Sequence, residues 1–254
     1  MKEVTVDERK RIQLQMLMEI DEFCRKNNIR YTLAYGTLIG AIRHQGFIPW
    51  DDDVDIMMPL PDMLRFKESF KSNSMLYVDV DTDNMYQYAF SRIVHKGTYT
   101  KQGVMYSLGG VCIDLYPILG LPSSLDEVND FFKQASNELT KRMRFIRLMN
   151  FIRRFLPIRT IPGFHKAMKR YRDFLFQFPY EGTRYYFTNG GELEMRNVYD
   201  FDLFQNIIDV PFEGHVFNAV SCYDHHLRHF YGDYMQLPPE DKRVPYHGDQ
   251  YYWK

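Results

Sequence analysis

Four aspartates stand within five positions, at Asp51, Asp52, Asp53 and Asp55, with apolar sequence on both sides. Like charges this close repel, and repulsion plus desolvation raises carboxylate pKa values. A hard cation that takes oxygen ligands relieves that cost, and Mg²⁺ or Mn²⁺ is the expected ion. On a strand, residues two apart point to one face, so Asp53 and Asp55 project together while Val54 and Ile56 face the core. This acid-x-acid spacing lets two carboxylates share one Mg²⁺ at roughly 2.0–2.1 Å. Asp114 sits in a second apolar run, Ile113-Asp114-Leu115, where a lone carboxylate is costly to bury. If that strand neighbours the acidic one, Asp114 completes a three-carboxylate metal set with Asp53 and Asp55. Asp51 and Asp52 fit a solvated loop or a supporting role. A calcium-binding EF-hand loop is excluded, because Ile56 stands where its sixth position requires glycine.

Tyr35-Gly36-Thr37 follows a strand and opens a helix. A glycine there lets backbone approach a ligand closely, and a helix N-terminus favours phosphate. The Thr37 hydroxyl can donate to the same group, although threonine at a helix start is often only a cap. A strand, Gly-Thr, a helix and then acid-x-acid on the next strand put phosphate donors opposite metal ligands. That order suits metal-assisted transfer of a phosphoryl or nucleotidyl group. Arg43 and His44, on the same helix, either reach the phosphates or line a solvated face.

The elements that must position these groups follow from periodicity. Ile12, Met16, Ile20 and Phe23 predict an amphipathic helix over 7–27, and a strand follows at 29–35. A helix is expected from Thr37 to about Gln45, with Gly46 at its C-terminal end. Strands are expected at 53–58, 75–80, 86–95 and 111–118, with a helix at 61–72 after the first. Helices are expected over 124–156, 163–177, 200–206 and 221–231, with a hairpin over 210–220 around Glu213-Gly214. The fold class is therefore α+β, a mixed β-sheet core flanked by helices. One domain, 1–254, is expected, with 121–185 as a basic helical insertion, because no flexible linker bounds that stretch.

The chain of 254 residues is 45% hydrophobic and 16% aromatic, ample for a core. A formal net charge of -1 gives no global attraction to nucleic acid. Its three cysteines, Cys24, Cys112 and Cys222, suit neither a disulfide framework nor a zinc site and fit a reducing cytoplasm. The start, Met1-Lys2-Glu3-Val4, lacks an apolar signal region, and no stretch of about 18 apolar residues occurs, so neither a secretory signal nor a membrane span is expected.

The run Tyr35 to Ile56 resembles the signature of the LicD family, the phosphocholine transferases of bacterial surface glycans, within the nucleotidyltransferase-fold superfamily. Ile113-Asp114-Leu115-Tyr116-Pro117-Ile118 and the tail Tyr231-Gly232-Asp233-Tyr234-Met235-Gln236-Leu237-Pro238-Pro239, with His247 beyond, are similar to the same family. The likeness spans roughly residues 10–120 and 205–250, leaving 121–200 without a diagnostic motif. The zinc-binding cysteine cluster of the fukutin-related relatives has no counterpart. The resemblance implies a nucleotidyltransferase-type core and a CDP-alcohol donor, with CDP-choline favoured. The acceptor would be a hydroxyl of a cell-surface glycan or its lipid-linked precursor, and CMP would leave. It implies Mg²⁺ on Asp53 and Asp55, with Asp114 either a metal ligand or the base. Trp50 then either contacts the cytosine or choline, or anchors its loop in the core. Arg92, Lys101 and His247 become phosphate-contact candidates, and some of the 19 tyrosines candidate walls of a choline pocket. Two other readings stay open: nucleotidyl transfer to a small molecule with pyrophosphate release, and a non-catalytic nucleotide- or glycan-binding module.

No acid occurs between Glu138 and Asp173, whereas lysines and arginines recur from Lys141 to Arg172. Phe145, Leu148, Met149, Ile152, Phe155 and Leu156 form an apolar stripe among them. Either this segment makes peripheral contact with an anionic membrane, at its inner face, or it is a core-packed helix with a basic back. No nucleic-acid recognition motif accompanies the charge.

Overall fold

The computed structural model describes residues 2–100, 109–156, 158, 160–188, 193–244 and 250–254. Helix α1, Val6–Lys26, begins at a capping box in which Thr5 and Glu8 satisfy each other's backbone N–H groups. Its buried face is Ile12, Met16, Leu17, Ile20 and Cys24, joined by Arg9 and Gln13. Strand β1, Thr32–Leu33, leads into helix α2, Tyr35–His44. Gln45, at φ 56°, ends α2 in the left-handed conformation, one residue before the glycine expected there. Strand β2, Asp55–Pro59, and helix α3, Leu60–Ser69, follow.

Strands β3 (Met75–Val78), β4 (Ser91–His95), β5 (Thr98–Thr100) and β6 (Cys112–Gly120) come next. Strand β7 is Tyr186–Thr188 and β8 is Val198–Tyr199. The main sheet runs β1-β2-β6-β4-β3, with β7 on the far end of β6 and β8 on β7. Strands β2 and β6 are parallel, whereas β1–β2, β4–β6, β3–β4 and β6–β7 are antiparallel. This is a mixed α+β sheet, as expected. Val54, Ile56, Ile113 and Leu115 are fully buried on one face, in the core shared with α1 and α3.

Strand β9, Ile207–Phe212, and β10, His215–Val220, form the expected hairpin. Glu213 (φ 50°) and Gly214 (φ 74°) supply the two left-handed residues of a tight turn. Helix α4 spans Leu125–Arg153, α5 Phe164–Leu175 and α6 Tyr223–Tyr231. Strand β11, Tyr251–Trp253, pairs with β5. Among the described residues no helix is long and apolar enough to cross a membrane.

Two expectations fail for local reasons. No helix forms over 200–206. Asp202 instead accepts the Phe204 N–H at 2.8 Å and the Tyr180 hydroxyl, and such a side chain offers the backbone a turn in place of a helix. The strand expected from 86 begins only at Ser91. Tyr86, Tyr88 and Phe90 form a chain of ring contacts 5.5 and 4.9 Å apart, ending on Tyr116 at 4.5 Å. Their aromatic character served side-chain packing rather than a ladder.

Candidate active site

The register of the sheet aligns three charged groups. Asp55 opens β2 opposite Asp114 of β6, and Asp114 lies opposite Arg92 of β4. Directly opposed residues share a face, so the three side chains sit in one row. Arg92 grips Asp114 with both prongs, Nε to Oδ1 at 2.7 Å and Nη2 to Oδ2 at 3.0 Å. Its guanidinium also covers the Tyr88 ring, 4.5 Å from the centroid. The Cys112 thiol donates to Asp114 Oδ1 at 3.7 Å. Arg92, a phosphate-contact candidate in the sequence, thus has its guanidinium on Asp114.

Asp51, Asp52 and Asp53 precede β2, and each offers an oxygen within 4.8 Å of the others. They take different partners. Asp52 meets Arg9 of α1 in an ion pair at 3.1 Å, with the side chains 2% and 7% exposed. Asp51 lies against Gly36: a Cβ at that position would meet Asp51 Oδ2 at 2.4 Å. The glycine therefore makes room for a carboxylate of the chain itself. Thr37 is buried, and its Oγ1 accepts the Asp55 N–H at 2.9 Å, tying the first turn of α2 to the start of β2. Thr37 lies inside the helix, whose N-cap is Ala34. Tyr35 holds φ 45°, a left-handed conformation that a bulky residue adopts only under constraint from its surroundings. Its ring meets the Tyr116 ring edge-on at 5.1 Å, and its buried hydroxyl has no hydrogen-bond partner among the described residues.

Electrostatics follow from this crowding. Burial, then the charge of Asp53, pushes the Asp51 carboxyl up to about 7. Asp55 is driven well above the usual carboxylate range by burial and then by Asp53, Asp114 and Asp51, with Arg92 pulling the other way. Burial raises Asp114 as well, and Arg92 opposes it. The phenol of Tyr231, at the end of α6, is raised because its hydroxyl end is shielded from water, and then by Asp55, Asp51 and Asp53, although 46% of the residue stays exposed. Carboxylates that repel one another around a buried Asp55, all hard oxygen donors, fit a divalent cation of the Mg²⁺ class.

Arg43 turns from the acids to the C-terminal tail. Its Nη1 donates to the carbonyl of Tyr234 at 2.5 Å and, more weakly, to that of Gln236 at 3.4 Å, while Nε donates to His44 Nε2 at 2.9 Å. The basic residue of α2 and the Tyr231–Pro239 tail are therefore joined. Trp50 is half-buried, its ring edge-on to His44 at 6.3 Å and covered by the Arg243 guanidinium at 5.6 Å. Lys101 and His247 lie outside the described residues. A cavity of about 120 Å³ adjoins the row of charges, with Asp53, Asp114, Asp83, Tyr86, Tyr88 and Arg92 in its wall.

Sequence reasoning gave Asp51 only a loop or supporting role, named Tyr231 only within the tail, and did not single out Arg9. Arg9 stands three residues before Ile12, on the buried face of α1, and that position was a readable signal. The approach of Asp51 to Gly36 depends on tertiary contact, and no local signal marks it.

Comparison with known proteins adds to this geometry. A family model described as "LicD/FKTN/FKRP, nucleotidyltransferase domain" matches residues 28–158. The lipopolysaccharide cholinephosphotransferase LicD of Haemophilus influenzae is 27% identical over 99% of this chain and 99% of its own length. An uncharacterised protein of Rickettsia typhi is 30% identical over 57% of this chain and 43% of its own. Another, of Rickettsia prowazekii, is 38% identical over 28% of this chain and 27% of its own. The family match begins before the Gly36 turn and ends beyond Asp114, so it contains the acidic cluster and its row partners. The chain belongs to the LicD family.

Proposed function

We propose that this protein is a phosphotransferase that moves phosphocholine, or a closely related phospho-alcohol, from a CDP-alcohol to a hydroxyl of a cell-surface glycan or its lipid-linked precursor, releasing CMP. Its core is read as a nucleotidyltransferase-type sheet carrying a helical insertion over 121–185. The observation that carries the reading is the crowd of carboxylates at Asp51, Asp53, Asp55 and Asp114, Asp55 buried and the other three half-buried. The full-length likeness to a cholinephosphotransferase supports the choice of group transferred.

Asp53 and Asp55, joined by Asp51, would hold a divalent cation of the Mg²⁺ class. When bound, such an ion supplies charge neutralisation to a diphosphate and its leaving group. The chain's own groups do the rest. Gly36 leaves the space in which Asp51 sits, and Thr37 fixes the start of β2 through the Asp55 N–H. Arg92 holds Asp114 by both oxygens, fixing its orientation and favouring its ionised form. An ionised, oriented carboxylate is suited to accept the proton of the attacking hydroxyl. The phosphorus–oxygen bond to CMP breaks as the new one to the acceptor oxygen forms.

The neighbouring cavity suits a quaternary ammonium. Tyr86 and Tyr88 give aromatic walls and Asp83 negative charge, while Arg92 and Arg9 in the same wall are matched by Asp114 and Asp52. Aromatic faces attract such cations by roughly 0.5–2 kcal/mol each. The test is a donor panel. Purified protein, Mg²⁺ and a glycan acceptor are incubated with CDP-choline, CDP-ethanolamine, CDP-glycerol, CDP-ribitol or CTP. CMP from CDP-choline above the other donors is expected. Pyrophosphate from CTP, with no CMP from any CDP-alcohol, would replace this reading with nucleotidyl transfer.

A further inference from the structure

Helix α4 leaves its last turns uncovered. Leu148 is 48% exposed and Phe151 59%, and just past the helix Phe155 is 72% and Leu156 55% exposed. On the opposite side Ile146 and Met149 are buried against the loop of Tyr86 and helix α5. The Phe151 and Phe155 rings touch at 5.4 Å between centroids, so the exposed side chains form one ridge. Exposed side chains of this size in a contiguous group mark an interaction surface.

Cations edge the ridge. At 3.6 residues per turn, Arg144, Arg147 and Arg154 share the face of Phe151, and all three are exposed. Among the described residues, no carboxylate pairs with any of them. The stretch 139–172 contains no Asp or Glu, and Glu138 is taken by Lys141 and Arg170. Arg142 is not part of this edge. It turns inward, donates to the Gln87 carbonyl with Nε at 2.9 Å, and covers the Tyr171 ring at 5.0 Å. One basic residue of the segment thus holds the helix down while three others face out beside the aromatic ridge.

This pattern discriminates between occupants. A second copy meeting the ridge across a two-fold axis would bring the arginines of both copies together, with no acid on the face to answer them. An anionic lipid surface answers both features, accepting the apolar side chains at the headgroup boundary and pairing its phosphates with the guanidiniums. We propose that the end of α4, through Leu148, Phe151, Phe155, Arg144, Arg147 and Arg154, docks on an anionic phospholipid bilayer. The surface lies outside the row of charges formed by Asp55, Asp114 and Arg92, so it adds a location to the reaction rather than a chemical step.

The experiment is flotation of the whole protein with vesicles of phosphatidylcholine alone, or mixed equally with phosphatidylglycerol. Flotation with the mixed vesicles and not with the neutral ones is expected. Phe151→Ser/Phe155→Ser should weaken binding at least tenfold. Arg144→Glu/Arg147→Glu/Arg154→Glu should weaken it by roughly a hundredfold or more. Both variants change exposed side chains, so an unchanged thermal unfolding midpoint checks that each is folded. Failure to float with anionic vesicles would overturn the proposal, as would flotation unaltered by both variants. A dimer in sizing chromatography that Phe151→Ser/Phe155→Ser dissociates would assign the ridge to a second copy instead. None of these outcomes bears on CMP release with a soluble acceptor, so the transferase reading is tested separately.

Discussion

Asp55 concentrates the conflict at this site. It is buried, opposed in register by Asp114, and repelled by Asp53 and Asp51 as well. A group so placed costs stability whenever it is ionised without a cation. Asp55→Asn should therefore raise the thermal midpoint of the metal-free protein by a few degrees while lowering CMP release by about a hundredfold or more. Differential scanning fluorimetry and a turnover assay read the two effects, and a loss of both stability and activity would point to a purely structural aspartate. Gly36→Ala separates position from charge. The new methyl would displace the Asp51 carboxylate, the free end of a side chain, so stability should change by under about 1 kcal/mol. Activity should fall at least tenfold, and the thermal shift on adding Mg²⁺ should shrink. Asp55 and Asp114 were legible as partners, because Asp55 ends an acid-x-acid pair entering one apolar strand and Asp114 is a lone acid in another. The role of Asp51 was not, since alternation along a strand says nothing about a residue that precedes it.

At the scale of elements, two contacts hold the site's frame. The first joins β4 to β6 through Arg92 and Asp114, whose side chains are 31% and 15% exposed. Arg92→Ala leaves a largely buried carboxylate without its partner, which typically costs about 3 kcal/mol or more. Urea unfolding should show that loss, and Asp114→Asn in the same background should restore part of it. The second is in α6, where His226 is fully buried and its Nδ1 lies 2.7 Å from the Tyr199 hydroxyl. Burial, with the charges of His229 and His225, holds its imidazole down at about 4. The unfolded chain then binds this proton first, near pH 6.5. The contribution is complete above about pH 6.5 and is lost as pH falls toward 4. Between pH 7 and pH 5 it amounts to ~2 kcal/mol. His226→Gln should flatten that part of the stability profile, and an unchanged slope would exclude the histidine. Long amphipathic helices such as α1 and α4, and the Glu213-Gly214 hairpin, were readable from period and turn chemistry. Strands β5, β7, β8 and β11 were not, because two or three residues carry no period.

Over the whole molecule, the two proposed tasks fall on different surfaces. Parallel β2 and β6 bring the acids together, α2 and the tail after α6 are linked through Arg43, and α4 projects an aromatic, basic end away from its packed side. The sequence disclosed this plan through the Tyr35–Ile56 run and the acid-free stretch from 139 to 172. It did not disclose that Arg142 packs inward while Arg144 and Arg147 face out, because helix phase against a core is a tertiary property. The chemistry proposed for the acidic cluster is transfer of phosphocholine with a divalent ion. The most direct measurement is mass spectrometry of a glycan acceptor incubated with protein and CDP-choline, with Mg²⁺ or with EDTA. With Mg²⁺ the acceptor should become heavier by one phosphocholine group, and no product should form with EDTA or with Asp55→Asn. Product formed equally in EDTA, or undiminished by Asp55→Asn, would contradict it.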